Sequence, residues 1–160
     1  MAEIIKTTSS TVAVEHMEEV MPIIRECVAN GQSVRFSPRG ISMLPMLRQG
    51  KDTVTLSPIT RELKKYDIAL YVRKNGKHVL HRIVKTGDTY TCIGDNQVVC
   101  ERGLSRDQFV AVVTSFSRES REYPVSHLGY KIYSRIWYHC RFLRRVIRAL
   151  KRRVRKLLNI

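Results

Sequence analysis

A serine, a histidine and two carboxylates that could together open an amide bond stand at Ser42, His81, Asp95 and Glu101. Ser42 lies in Pro38-Arg39-Gly40-Ile41-Ser42-Met43-Leu44-Pro45-Met46-Leu47. Gly40 lets the backbone turn sharply two residues before the serine. Pro45 is expected in the first turn of a short apolar helix, the position where its missing N–H costs least. Ser42 would then sit at a strand-to-helix corner, among backbone N–H groups without intrahelical partners. An activated nucleophile needs that setting, with donors beside the developing oxyanion. A serine at such a corner can equally be a plain helix cap.

The hydroxyl needs a base, and His81 in Val79-Leu80-His81-Arg82-Ile83-Val84 is the candidate. On a strand it shares a face with Val79 and Ile83. Apolar neighbours favour the neutral, proton-accepting imidazole, although they also suit a histidine that merely fills the core. Asp95, in Gly94-Asp95-Asn96, can orient the imidazole or simply form a turn. Glu101 is a second candidate acid, or a surface charge.

The elements that must position these groups read as mainly β. Residues 1–13 look loose, being rich in Thr and Ser. Across residues 15–29 the apolar positions Met17, Val20, Ile24, Cys27 and Val28 recur at helical spacing, with Pro22 inside and Asn30-Gly31 as the stop. Strand-like runs follow at 32–36, 52–56, 66–72, 78–84, 89–93 and 108–116, separated by turn residues. Lys74-Asn75-Gly76-Lys77 is a strong hairpin signal, and Thr86-Gly87-Asp88 a second. Such pieces pack as a curled antiparallel sheet or partly open barrel. From 130 to 157, Ile136, Cys140, Leu143, Ile147, Leu150, Val154 and Leu157 step by three and four along one long basic amphipathic helix. The expected organisation is an N-terminal segment and helix (1–31), a catalytic β domain (32–124) and a basic C-terminal helix (125–160).

At 160 residues the chain suits one domain with an appendage. Its net charge of +15 is unevenly spread. No acid follows Glu122, while Lys131, Arg135, Arg141, Arg144, Arg145, Arg148, Lys151, Arg152, Arg153, Arg155 and Lys156 are all basic. No apolar run approaches the roughly 20 residues that cross a bilayer, and the N-terminus lacks the apolar core of a secretory signal. The cytoplasm is the expected compartment. Cys27, Cys92, Cys100 and Cys140 make no zinc spacing with His78, His81 and His139, so neither metal nor cofactor is expected.

Read together, Gly40-x-Ser42-Met43-x-Pro45-x-Leu47, His81-Arg82-Ile83, Gly94-Asp95-Asn96 and Glu101-Arg102-Gly103-Leu104 resemble the type I signal peptidase family. The likeness is greatest to its archaeal and endoplasmic-reticulum branch, within a superfamily that includes the LexA-like self-cleaving repressors. It covers roughly residues 32–118. The resemblance implies a serine endopeptidase in which Ser42 attacks the scissile peptide. His81 would be the base where bacterial relatives use lysine, and Asp95 or Glu101 the supporting acid. It also implies an extended substrate lying beside a strand edge, with small side chains before the cut.

The chain departs from that pattern in three places. The family's membrane anchor is expected to be missing. Arg48-Gln49-Gly50-Lys51-Asp52 stands where relatives have Arg-Gly-Asp. Gly40 replaces a serine that can support the oxyanion, and losing one such donor costs about 10²–10³ in rate.

The leading expectation is thus a peptidase that trims a leader segment from a peptide or protein. The alternatives are a LexA-like self-cleaving regulator and a catalytically inactive recruitment module on the same fold. For the basic helix three roles stand open. It can pack its stripe on the body or a second subunit, lie on an anionic membrane surface as a peripheral attachment, or bind nucleic acid.

Overall fold

The structure is a computed structural model that describes residues 3–7, 10–14, 17–141, 143, 146, 150 and 153. The protein is mainly β. Two N-terminal strands, β1 (Glu3–Thr7) and β2 (Ser10–Val14), precede helix α1 (Met17–Ala29). Then come β3 (Val34–Phe36), β4 (Thr53–Ser57), β5 (Ile68–Val72), β6 (His78–Lys85), β7 (Tyr90–Ile93), β8 (Glu101–Leu104), β9 (Phe109–Arg118) and β10 (Arg121–Pro124). Helix α2 (Leu128–His139) follows.

Strands β3 to β10 form one antiparallel sheet in the order β3-β4-β9-β5-β6-β7-β8, with β10 also on β9. The β1–β2 hairpin joins it at β3 through Lys6 opposite Arg35. Among the described residues the sheet does not close into a barrel. Residues 1–13, expected to be loose, thus contain two strands. Ile4, Ile5, Thr7, Thr11 and Val12 lie there, and these β-branched residues favour extended backbone once an edge is offered.

Alternation along the strands places the core on both faces of the sheet. Leu70 and Leu80 join Val34, Phe36, Val54, Leu56, Ala111 and Val113 on one side, closed by Val20 and Ile24 of α1. Ala69, Tyr71 and Ile83 join Cys92, Leu104, Phe109 and Val112 on the other. Pro22 lies inside α1 without ending it and points to solvent. The hairpin expected at Asn75-Gly76 joins β5 to β6. Strands β8 and β10 escaped the sequence reading because neither has an apolar alternation. Their burial patterns are mostly exposed, and pairing with β7 and β9 holds them.

Candidate active site

Strand β3 leads into the serine loop. Gly40 has φ +90°, so the predicted sharp turn is there. The short helix expected after Ser42 is not: residues 42–46 form consecutive turns. The physical reason lies in two carbonyls. In a helix the Ile41 and Ser42 oxygens would accept from residues 45 and 46, but Pro45 has no N–H. Asn96 takes both oxygens instead, its backbone N–H donating to Ser42 O at 2.7 Å and its side-chain amide to Ile41 O at 3.0 Å.

The loop is anchored on its other side. Met43, Met46 and Leu47 are buried in the core. Arg118 Nη2 donates to the Pro45 and Met46 carbonyls at 2.7 and 2.9 Å. Just beyond, Arg48 grips the fully buried Asp52 through Nη2 and Nε at 2.8–3.2 Å. That pair braces the turn where the sequence departs from Arg-Gly-Asp. The Gly40 N–H already donates to Gln49 Oε1 at 2.9 Å.

His81 sits on β6 opposite Ala69 of β5 and is 1 % exposed. Tyr71 lies two residues along the partner strand and therefore on the same face. Its hydroxyl is 3.1 Å from His81 Nδ1. Glu101 Oε1 is 3.4 Å from the same nitrogen. Arg73 holds that carboxylate, with Nε donating to Oε2 at 2.8 Å and Nη2 bonded to Oε1. A Tyr71 hydroxyl that accepts from Nδ1–H and donates towards Glu101 would leave the lone pair on Nε2.

Nε2 faces the serine loop. A Cβ placed on Gly94 would lie 2.7 Å from Ser42 O and 3.0 Å from His81 Nε2, so the two groups approach across the bare glycine. Ser42 and His81 line one open cleft with Gly40, Met43, Arg73, Val79 and Gln97.

Burial pushes the His81 imidazole down from 6.5 to about 4, against the charge of Glu101, which raises it. At neutral pH the ring is an uncharged acceptor. The hydrogen bonds from Arg73 hold the Glu101 carboxyl below its ordinary range, so at neutral pH it is ionised beside the neutral His81. Burial raises the Tyr71 phenol and pushes the Cys92 thiol up to about 12, leaving both protonated.

The two candidate acids separate in space. Glu101 stands at Nδ1 of His81. The Asp95 carboxylate faces Arg82 instead, with Nε to Oδ1 at 2.8 Å and Nη2 to Oδ2 at 2.7 Å. Arg82 also donates to Tyr130 OH at 2.9 Å, and Trp137 Nε1 donates to Asp95 O at 2.8 Å. Asp95 therefore ties α2 to the turn that carries Asn96.

Sequence reasoning missed Tyr71, Arg73 and Asn96. Only the β5–β6 register brings Tyr71 to His81, and no local pattern carries it. Arg82 did leave a signal, as a charge inside an apolar strand that must find a buried partner. No family model, curated protein or solved structure matches the chain.

Proposed function

We propose that this protein is a serine endopeptidase of the signal-peptidase type, with Ser42 as nucleophile and His81 as general base. One observation carries the reading: Ser42 and His81 share a cleft, and the far nitrogen of the histidine is backed by Tyr71 and the ionised Glu101. Ser42 Oγ attacks the scissile carbonyl carbon while His81 Nε2 takes its proton. The Glu101 carboxylate stabilises the imidazolium as it forms. The C–N bond then breaks, and the leaving amine takes the proton from Nε2. Water, deprotonated by His81, attacks the resulting ester to release the acyl product and restore Ser42. With the Gly40 N–H engaged by Gln49, the backbone N–H of Ser42 is the candidate donor to the oxyanion.

The sheet favours an extended substrate. Residues 78–81 of β6 pair with β5 on one side, whereas the β7 ladder covers only 82–85 on the other. Among the described residues no strand pairs with residues 79–81 on that side, and a peptide can add there as a further strand beside the cleft. Met43, Leu47, Val79 and Leu80 give the cleft apolar walls, suited to small side chains next to the cut.

The test compares new protein N-termini in cells expressing wild type, Ser42→Ala or His81→Ala. Termini that arise with wild type alone are expected. They would name the substrate, with losses on the order of 10²–10⁴ for His81→Ala. If all three well-expressed proteins give the same termini, the peptidase reading is dropped in favour of a recruitment module built on this cleft.

A further inference from the structure

Helix α2 has two faces of different character. Tyr130 and Ser134 are buried against the body, and Tyr133 and Trp137 reach Asp95. On the other side Leu128, Ile132 and Ile136 are 69, 49 and 58 % exposed. The Cys140 N–H donates to Ile136 O at 2.8 Å, continuing the helical bonding, and the described residues beyond it are helical too. Leu143, Val146 and Leu150 among them are 58, 39 and 54 % exposed. At roughly 100° per residue, Leu128, Ile132 and Ile136 fall within an arc of about 80° on α2, and Leu143, Val146 and Leu150 beyond the Cys140 cap are exposed as well. The stripe therefore does not pack on the β body.

We propose that this stripe docks on the surface of an anionic phospholipid membrane, lying in the plane of the interface. The charge around it selects that occupant. No acid follows Glu122, and eleven Lys and Arg accompany the stripe in sequence, among them the exposed Lys131, Arg135 and Arg153. A second copy would set cation against cation. Nucleic acid would match the charge but leave the aliphatic side chains in water. An anionic bilayer offers both partners, headgroups for the cations and acyl chains for the stripe. No helix among the described residues is long and apolar enough to cross a membrane, so the contact is lateral. It is independent of the peptidase reading.

The experiment sediments the full chain with vesicles of phosphatidylcholine alone or with about a third phosphatidylserine. Wild type and Ser42→Ala are expected to bind the anionic vesicles at least about tenfold better, and to be released as NaCl rises from about 0.1 to about 1 M. Ile132→Ser/Ile136→Ser, at two exposed positions, should weaken binding at least about tenfold. Lys131→Gln/Arg153→Gln should weaken binding to anionic vesicles alone. Emission from Trp137, held at Asp95 O, reports that each variant is folded. Binding indifferent to phosphatidylserine, or undiminished in a folded Ile132→Ser/Ile136→Ser protein, overturns the proposal. So does a dimer that this variant splits, or DNA binding without vesicle binding.

Discussion

His81 is the proposed general base, and its protonation gives the sharpest prediction. Burial holds the imidazole near 4, so the neutral base is present above that pH and lost below it. The kcat/KM profile on a cleaved peptide should therefore rise with pH through about 4 and stay level through neutrality. Glu101 raises the His81 value, so Glu101→Gln should move this limb to lower pH and also reduce kcat. Tyr71→Phe removes the hydroxyl at Nδ1. It should lower kcat by about tenfold to a hundredfold with KM unchanged, the signature of a positioning residue acting through the base. Wild-type kcat and an unmoved limb in both variants would separate Tyr71 and Glu101 from the base.

At the scale of elements, the site is an encounter between two loops and a strand. The turn after β7 takes the Ile41 and Ser42 carbonyls through Asn96, and β6 supplies His81. Gly94 sits where they converge. Gly94→Ala would place a methyl 2.7 Å from the Ser42 backbone oxygen, an atom that cannot rotate away, and 3.0 Å from Nε2. The serine loop must shift. The variant should lose about 1–3 kcal/mol in urea unfolding. Turnover per folded molecule should also fall, since an ångström of misplacement at the reacting atoms can cost on the order of a hundredfold. A variant of wild-type stability and turnover would show that the loop is not held against this turn.

For the molecule as a whole, the buried Arg82–Asp95 pair is the rivet between sheet and α2. Both side chains are nearly inaccessible, and Tyr130, Tyr133 and Trp137 of α2 reach one or the other residue. Burial lowers the pKa of Arg82, but the facing Asp95 carboxylate more than offsets this and holds it above the ordinary value. Removing one partner leaves the other charge buried and unpaired, a loss of about 3–5 kcal/mol. Asp95→Ala should lower the urea midpoint accordingly and change the Trp137 emission. Unchanged stability would mean that the pair does not bind α2 to the sheet.

Much of this architecture is legible in the sequence because it is local. Strand alternation, the Asn75-Gly76 hairpin and α1 with its Asn30-Gly31 stop all follow from side-chain periodicity and turn chemistry within a few residues. Of the expected aliphatic stripe, Ile136, Leu143 and Leu150 are exposed, while Ile147, Val154 and Leu157 lie outside the described residues. Ser42 and His81 were legible as candidates for the same reason. What the tertiary structure decided is long-range. Register across β5 and β6 brought Tyr71 to His81, and the β7–β8 pairing brought Glu101 there. The Asp95 carboxylate went to Arg82, because a guanidinium on an apolar strand has nowhere else to find its counter-charge. Asn96, fifty-four residues after Ser42 in the sequence, turned an expected helix into a run of turns. The outward face of α2 was settled by which of its two apolar sides fits the sheet, a matter of packing that periodicity along one helix does not contain.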